Sequence, residues 1–162
     1  MTAHPPLRIA INGFGRIGRN VLRAWMENGC WPAFELVAIN DIADGDMLAH
    51  LLRFDSTHGR FAGHVMLEGD VLSVDSLGIR RKIRLLQQSD PEQLPWSALQ
   101  IDLVLECTGL FRSREGASKH LHAGAKRVVV GAAPFDTVDA AIVCGVNEHE
   151  LDASHRVISS VS

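Results

Sequence analysis

A chain of 162 residues can bury enough surface for one ordinary domain, and too little for two. Its 46% hydrophobic and 22% charged residues are a globular balance, and a net charge of −3 gives no pull toward nucleic acid or an anionic membrane. The longest apolar runs are strand-sized, so no segment is expected to span a bilayer. Met1-Thr2-Ala3-His4-Pro5-Pro6 lacks the basic flank and apolar stretch of a secretory signal. Cys30, Cys107 and Cys144 are odd in number, far apart and in no CxxC or zinc spacing. They read as incidental thiols in a reducing cytosol, and no metal site is expected.

Leu7 to Ile11 is a short apolar run stopped by Asn12-Gly13, as in a buried strand meeting a turn. From Ile17, apolar residues at Ile17, Val21, Leu22, Trp25 and Met26 have helical spacing, and Gly29 is a natural stop. Phe34 to Ile39 is a second buried-strand candidate, closed by Asn40-Asp41. The unit predicts the βαβ crossover of a parallel sheet. Asp46 to Phe54 reads as a helix, and Val65–Leu67 with Val71–Val74 as a hairpin around Glu68-Gly69-Asp70. Ile79 to Leu86 carries Arg80, Arg81, Lys82 and Arg84. A solvated strand face explains these better than a nucleic-acid patch, since no aromatics interleave. Asp90-Pro91-Glu92-Gln93 reads as a helix start.

Parallel grammar then returns. Ile101 to Cys107 is strand-like and ends at Thr108-Gly109, and Ser113 to Ala123 is helical with Gly124 as its stop. Arg127–Val130, Ala141–Val143 and Arg156–Ser160 are further strands. The expected class is α/β: a doubly wound, mostly parallel sheet with a small antiparallel or irregular β insertion near residues 60–90. Residues 1–162 are expected to form one domain.

Gly13-Phe14-Gly15-Arg16-Ile17-Gly18 is a G-x-G-x-x-G. Alone it is a weak signal, but a strand precedes it, a helix follows it, and Asp41 ends the next strand. Gly13 permits the tight turn, Gly15 lets backbone approach a pyrophosphate, and Gly18 lets the helix pack close to the strand. The first amides of that helix and its positive dipole end suit a diphosphate. Asp41 suits the adenosine ribose hydroxyls and would repel a 2′-phosphate, so NAD is expected over NADP.

Ile11-Asn12-Gly13-Phe14-Gly15-Arg16-Ile17-Gly18-Arg19 resembles the opening signature of glyceraldehyde-3-phosphate dehydrogenases. Val37 to Asp41, Asp55-Ser56-Thr57-His58-Gly59-Arg60, Glu106-Cys107-Thr108-Gly109, Arg114 to Val128 and Gly145-Val146-Asn147 match in order. The resemblance implies a Rossmann-type NAD-binding domain whose cofactor contacts are Asn12, Gly13, Phe14, Gly15, Arg16, Ile17, Gly18, Asn40, Asp41, Thr108, Gly109 and Gly131. Arg16 and Ile17 would meet the diphosphate through backbone amides. Two positions depart from the family: Gly131 stands where it has a serine near the nicotinamide end, and Ser89 where many members have an arginine by the adenine.

The resemblance also implies a cytosolic, homo-oligomeric (tetrameric) parent acting on an aldehyde phosphate, with no nucleic-acid or membrane partner. Val157 to Ser162 resembles the strand leading into the catalytic S-C-T-T segment, so no catalytic residue is assigned here. Cys107 and Cys144 are poor substitutes for the nucleophile, His58 suits a turn better than a base, and His120 and His122 on the Ser113–Ala123 helix read as surface residues. These residues are expected to bind NAD without turnover. Without a closing helix and second domain they would expose apolar surface and either self-associate or be poorly soluble. Glyceraldehyde 3-phosphate is the first expectation for the substrate, but Ile39 to Asp44, His58 to Phe61 and Leu94-Pro95-Trp96 resemble erythrose-4-phosphate dehydrogenases at least as well, so that alternative stays open. From another class, a non-catalytic NAD-binding regulatory module stays open too. An RNA-binding Rossmann domain is disfavoured by charge and by the lack of aromatic platforms.

Overall fold

The computed structural model describes residues 4–160. Met1 to Ala3, part of the N-terminal reading, and Val161 and Ser162, the end of the segment resembling the strand before the catalytic motif, lie outside the described residues. In chain order come β1 (Leu7–Asn12), α1 (Arg16–Glu27), β2 (Phe34–Asn40), α2 (Gly45–Arg53), β3 (Phe54–Asp55) and β4 (Gly59–Arg60). β5 (His64–Glu68), β6 (Val71–Ser76), β7 (Ile79–Leu86) and β8 (Leu103–Glu106) follow. Last come α3 (Arg114–His122), β9 (Arg127–Val130), β10 (Ala140–Ile142) and β11 (Val157–Ser160).

The main sheet runs β10-β11-β9-β8-β1-β2-β7-β6-β5. Every pairing from β10 across to β7 is parallel, and β6 and β5 are antiparallel. β1 sits between β2 and β8, and the chain winds outward from it in both directions. Alternation along β1 explains the two layers. Ile9 and Ile11 face a core shared with Leu22, Trp25 and Met26 of α1 and Leu48 and Leu52 of α2. Ala10 faces the opposite core with Trp96, Val104, Ala117 of α3 and Val128. Leu22, Trp25 and Met26 are at most 1% exposed, and each buried side chain of this size contributes about 1.5–3 kcal/mol. The doubly wound expectation therefore holds on both faces.

Two local expectations change, at Asp90 and at His120. The antiparallel segment expected near residues 60–90 is present, and it is continuous with the main sheet: β7 pairs parallel with β2 from Ala38↔Arg84 to Asn40↔Leu86, so β5–β7 prolong it. Only the short β3–β4 ladder is separate. The basic face of β7 is answered across the hairpin, with Arg80 3.4 Å from Asp75 and Arg84 3.4 Å from Asp70. The helix expected at Asp90 is a single 3-10 turn, Pro91–Gln93, capped by the Asp90 carboxylate accepting from the Glu92 amide at 3.1 Å. Pro95 ends it, because a residue before proline is driven out of the helical region, and Leu94 is extended at ψ 141°. His120, expected at the surface, is fully buried.

Among the described residues no helix is long and apolar enough to cross a membrane, and no cluster of His, Cys, Asp and Glu is placed to hold a metal ion.

Candidate functional site

The carboxyl ends of β1, β2 and β8 open onto one cleft of about 350 Å³, at the point where the strand order reverses. Open α/β sheets bind ligands at this position. Asn12, Gly13, Gly15, Asn40, Asp41 and Thr108 line it, six of the twelve positions singled out in the sequence.

Gly13 turns the chain at φ +92°, and its amide donates to Asn40 O at 2.8 Å. A Cβ there would lie 2.7 Å from Thr108 N, so conformation and space both demand glycine. At Gly18 a Cβ would stand 2.3 Å from Gly13 O, which is how closely α1 packs onto the turn. At Gly15 a Cβ would meet nothing within 4 Å: the space above this backbone is open. The first helical donor is the Arg19 amide, to Gly15 O at 3.0 Å. The amides just before it have no carbonyl one turn back to receive them. Gly15 caps α1 without a side-chain bond, and no acidic residue lies in the first turn. The helix thus offers an anion site that none of its own carboxylates fills.

Asp41 faces that turn. One carboxylate oxygen accepts from the Phe14 amide at 2.7 Å, the other from the Ala43 amide at 2.9 Å. Each oxygen keeps a further lone pair, and the group is half-buried at the cleft wall. Phe14 contributes only its amide here, because its ring is 1% exposed in the core. Arg16 and Ile17 are exposed at the helix start, and Ile17 is 51% accessible. Gly109 turns at φ +77° beside Thr108. Gly131 lies behind the helix start, where a Cβ would sit 3.9 Å from Ile17 Cγ2 and 3.5 Å from Glu106 O. Ser89 is exposed at the cleft edge.

Beneath the cleft the side chains of Asn12 and Asn40 are engaged with protein. Asn40 Nδ2 donates to Asn12 Oδ1 at 2.7 Å and to Gln88 O at 2.9 Å, and its Oδ1 accepts from the Gln88 amide at 2.9 Å. Asn12 Nδ2 donates to Glu106 Oε2 at 2.7 Å. These two residues form the floor of the cleft and lock β2 and β8 to β1. Sequence reasoning missed the apolar walls from Ile42, Leu110 and Phe111. Their signal is adjacency to Asp41 and Thr108. It also missed the buried partners of Glu106, which have no local signal.

The thiols behave as expected of incidental ones. Burial, then the neighbouring Glu106 charge, pushes Cys107 up to about 12. Cys30 is buried, its thiol also raised by burial, and Cys144 is exposed. His58 sits in the expected turn, its amide donating to Asp55 Oδ1 at 2.8 Å and its Nδ1 3.2 Å from the same atom. Amides of His58 and Thr57 hold the Asp55 carboxyl far below the usual range.

The family described as glyceraldehyde 3-phosphate dehydrogenase, NAD binding domain, matches residues 7–114. Two relatives from Cupriavidus necator, the chromosomal and plasmid glyceraldehyde-3-phosphate dehydrogenases, are each 49% identical over 156 residues. Each alignment covers 96% of this chain and 45% of the relative. The chain therefore spans less than half the length of these curated relatives.

Proposed function

The chain belongs to the glyceraldehyde 3-phosphate dehydrogenase family as its NAD-binding domain, and from that premise we propose that NAD lies in the cleft between the start of α1 and Asp41. The observation that carries this is the open space over Gly15, facing helix amides that no acidic side chain occupies. Amides of Gly15, Arg16 and Ile17 hold the diphosphate. Asp41 accepts the ribose hydroxyls with its remaining lone pairs, and its charge disfavours the 2′-phosphate of NADP. Ile42, Leu110 and Phe111 supply apolar walls for a flat base. Ser89 brings no guanidinium to the adenine. Gly131 offers only backbone toward the nicotinamide end, while Thr108 and Gly109 shape the opposite wall. The bound cofactor supplies the hydride acceptor.

The whole protein, on this reading, oxidises glyceraldehyde 3-phosphate with NAD. The names of the two relatives favour that aldehyde over erythrose 4-phosphate. It works as a cytosolic homo-oligomer, a tetramer, which sizing the full-length protein tests. Residues 1–162 bind NAD without turning over an aldehyde, because none of their three thiols suits the covalent step: Cys30 and Cys107 are raised by burial and Cys144 lies outside the cleft.

Titration calorimetry with NAD, NADH and NADP, beside an absorbance assay for NADH formation, tests this. The expected result is NAD and NADH binding, NADP at least about tenfold weaker, and no NADH formed. Absence of NAD binding, or aldehyde-dependent NADH formation by these residues alone, would overturn it.

A further inference from the structure

A line of buried polar side chains runs under the cleft. Trp96 Nε1 lies 2.9 Å from His120 Nδ1, and His120 Nε2 lies 2.7 Å from Glu106 Oε2. Asn12 Nδ2 reaches the same carboxylate oxygen at 2.7 Å. The other oxygen, Oε1, accepts from the Thr108 amide at 2.9 Å and the Thr108 hydroxyl at 2.5 Å. Trp96 and His120 are fully buried and Glu106 is 2% exposed.

Donor chemistry fixes the direction of the line. An indole N–H can only donate, so His120 Nδ1 accepts and the ring proton sits on Nε2, aimed at Glu106. The 3.4 Å approach of Asn12 Nδ2 to His120 Nε2 is then two donors converging on one oxygen. Each Glu106 oxygen receives two donors, which uses the acceptor capacity of the carboxylate and pins it at both ends. From Oε2 the order passes through Asn12 to Asn40 at 2.7 Å, the cleft floor. From Oε1 it passes through Thr108, whose hydroxyl accepts from the Leu110 amide at 3.0 Å, to the cleft wall. Phe111 also packs edge-on against the ring at 6.5 Å, and Glu106 is the one charged group among these partners.

We infer that His120 is a positioning residue for the cofactor site: held by Trp96 in the Nε2–H tautomer, it orients Glu106, and Glu106 sets both the Asn12–Asn40 floor and the Thr108–Leu110 wall. The inference rests on the NAD reading above. It differs from a plain core role in what it requires. A core needs volume, which a phenyl ring supplies. Positioning needs an acceptor facing Trp96 and a donor facing Glu106, which glutamine supplies and phenylalanine does not.

The test compares the full chain with His120→Gln and His120→Phe, reading NAD affinity by calorimetry and the His120 ring nitrogens by long-range ¹H–¹⁵N correlation. Wild type shows a bare Nδ1 and a protonated Nε2. Phenylalanine weakens NAD by about tenfold or more, since the Trp96 indole loses its acceptor and Glu106 Oε2 loses one of its two donors, and glutamine brings affinity back to within about threefold. A folded phenylalanine variant that binds NAD like wild type, or a glutamine variant no better than phenylalanine, overturns the inference while leaving the NAD reading intact. A wild type that fails to bind NAD overturns the reading first. The wild-type spectrum decides even if both variants fail to fold: a proton on Nδ1 contradicts the geometry.

Discussion

Replacing Gly18 by alanine sets helix propensity against packing. In an exposed helix interior the change stabilises by about 1 kcal/mol. Here the new Cβ lies 2.3 Å from Gly13 O and 3.1 Å from Ile11 Cγ2. The first contact is roughly 1 Å inside ordinary packing distance, so α1 must retreat by about that much. Gly13 cannot yield in its place. Its amide is tied to Asn40 O at 2.8 Å, and Thr108 backbone stands 2.7 Å from its own Cβ direction. Overpacking of this kind costs about 1–3 kcal/mol, and a rigid backbone neighbour puts the site at the upper end. The net expectation is a destabilisation of about 2 kcal/mol, read by urea unfolding. Moving the helix amides off the diphosphate should also weaken NAD by about tenfold or more, because each hydrogen bond to a charged group contributes about 1.5–3 kcal/mol. A variant as stable as wild type that binds NAD within about twofold would refute the packing argument.

Asp41→Ala removes the proposed ribose acceptor and leaves the Phe14 and Ala43 amides without their partner. NAD should weaken by about tenfold and the gap between NAD and NADP should narrow; an unchanged ratio in calorimetry would count against Asp41 as the discriminator. Gly131→Ser adds a side chain whose nearest neighbour is Glu106 O at 3.5 Å. Thermal melting should be unchanged and NAD affinity should rise a few-fold, whereas a lower melting point would show that the space is not there. The Asp139 carboxyl is raised by burial but lowered more by the Val157 and Arg156 amides and the Arg114 guanidinium, and ends at about 2. A depressed carboxyl stabilises the fold above its unfolded value and loses that contribution as pH falls through the folded one. Stability should therefore decline from about pH 4 toward pH 2, and Asp139→Asn should flatten that part of the curve; an identical acid profile would exclude this contribution.

Segments with strong local signals were legible in the sequence. β1, α1 and β2 follow from an apolar run, a 3.6-residue stripe and a second apolar run, with Gly29 ending the helix at φ +75°. α3 follows from Ser113, which caps it by accepting from the Gly116 amide at 2.9 Å. The attachment of β5–β7 to the main sheet was not legible, because it depends on the parallel register between β7 and the distant β2. At Asp90 the capping signal is genuine, but Pro95 overrides it after one turn. The glycine turn and Asp41 beside it could be placed from motif context, since Gly13 and Gly18 each have a geometric duty. His120 could not. It lies on a largely polar helix beside the exposed His122, and its partners Glu106, Trp96 and Asn12 are 14, 24 and 108 positions away in the chain. Only the fold brings them together.

The most direct test of the central claim is a ¹H–¹⁵N titration of the full chain with NAD. The amides of Gly15, Arg16, Ile17 and Asp41 are expected to shift saturably, on a single binding curve. Saturation with those four signals unmoved, and shifts gathered elsewhere on the domain, would contradict it.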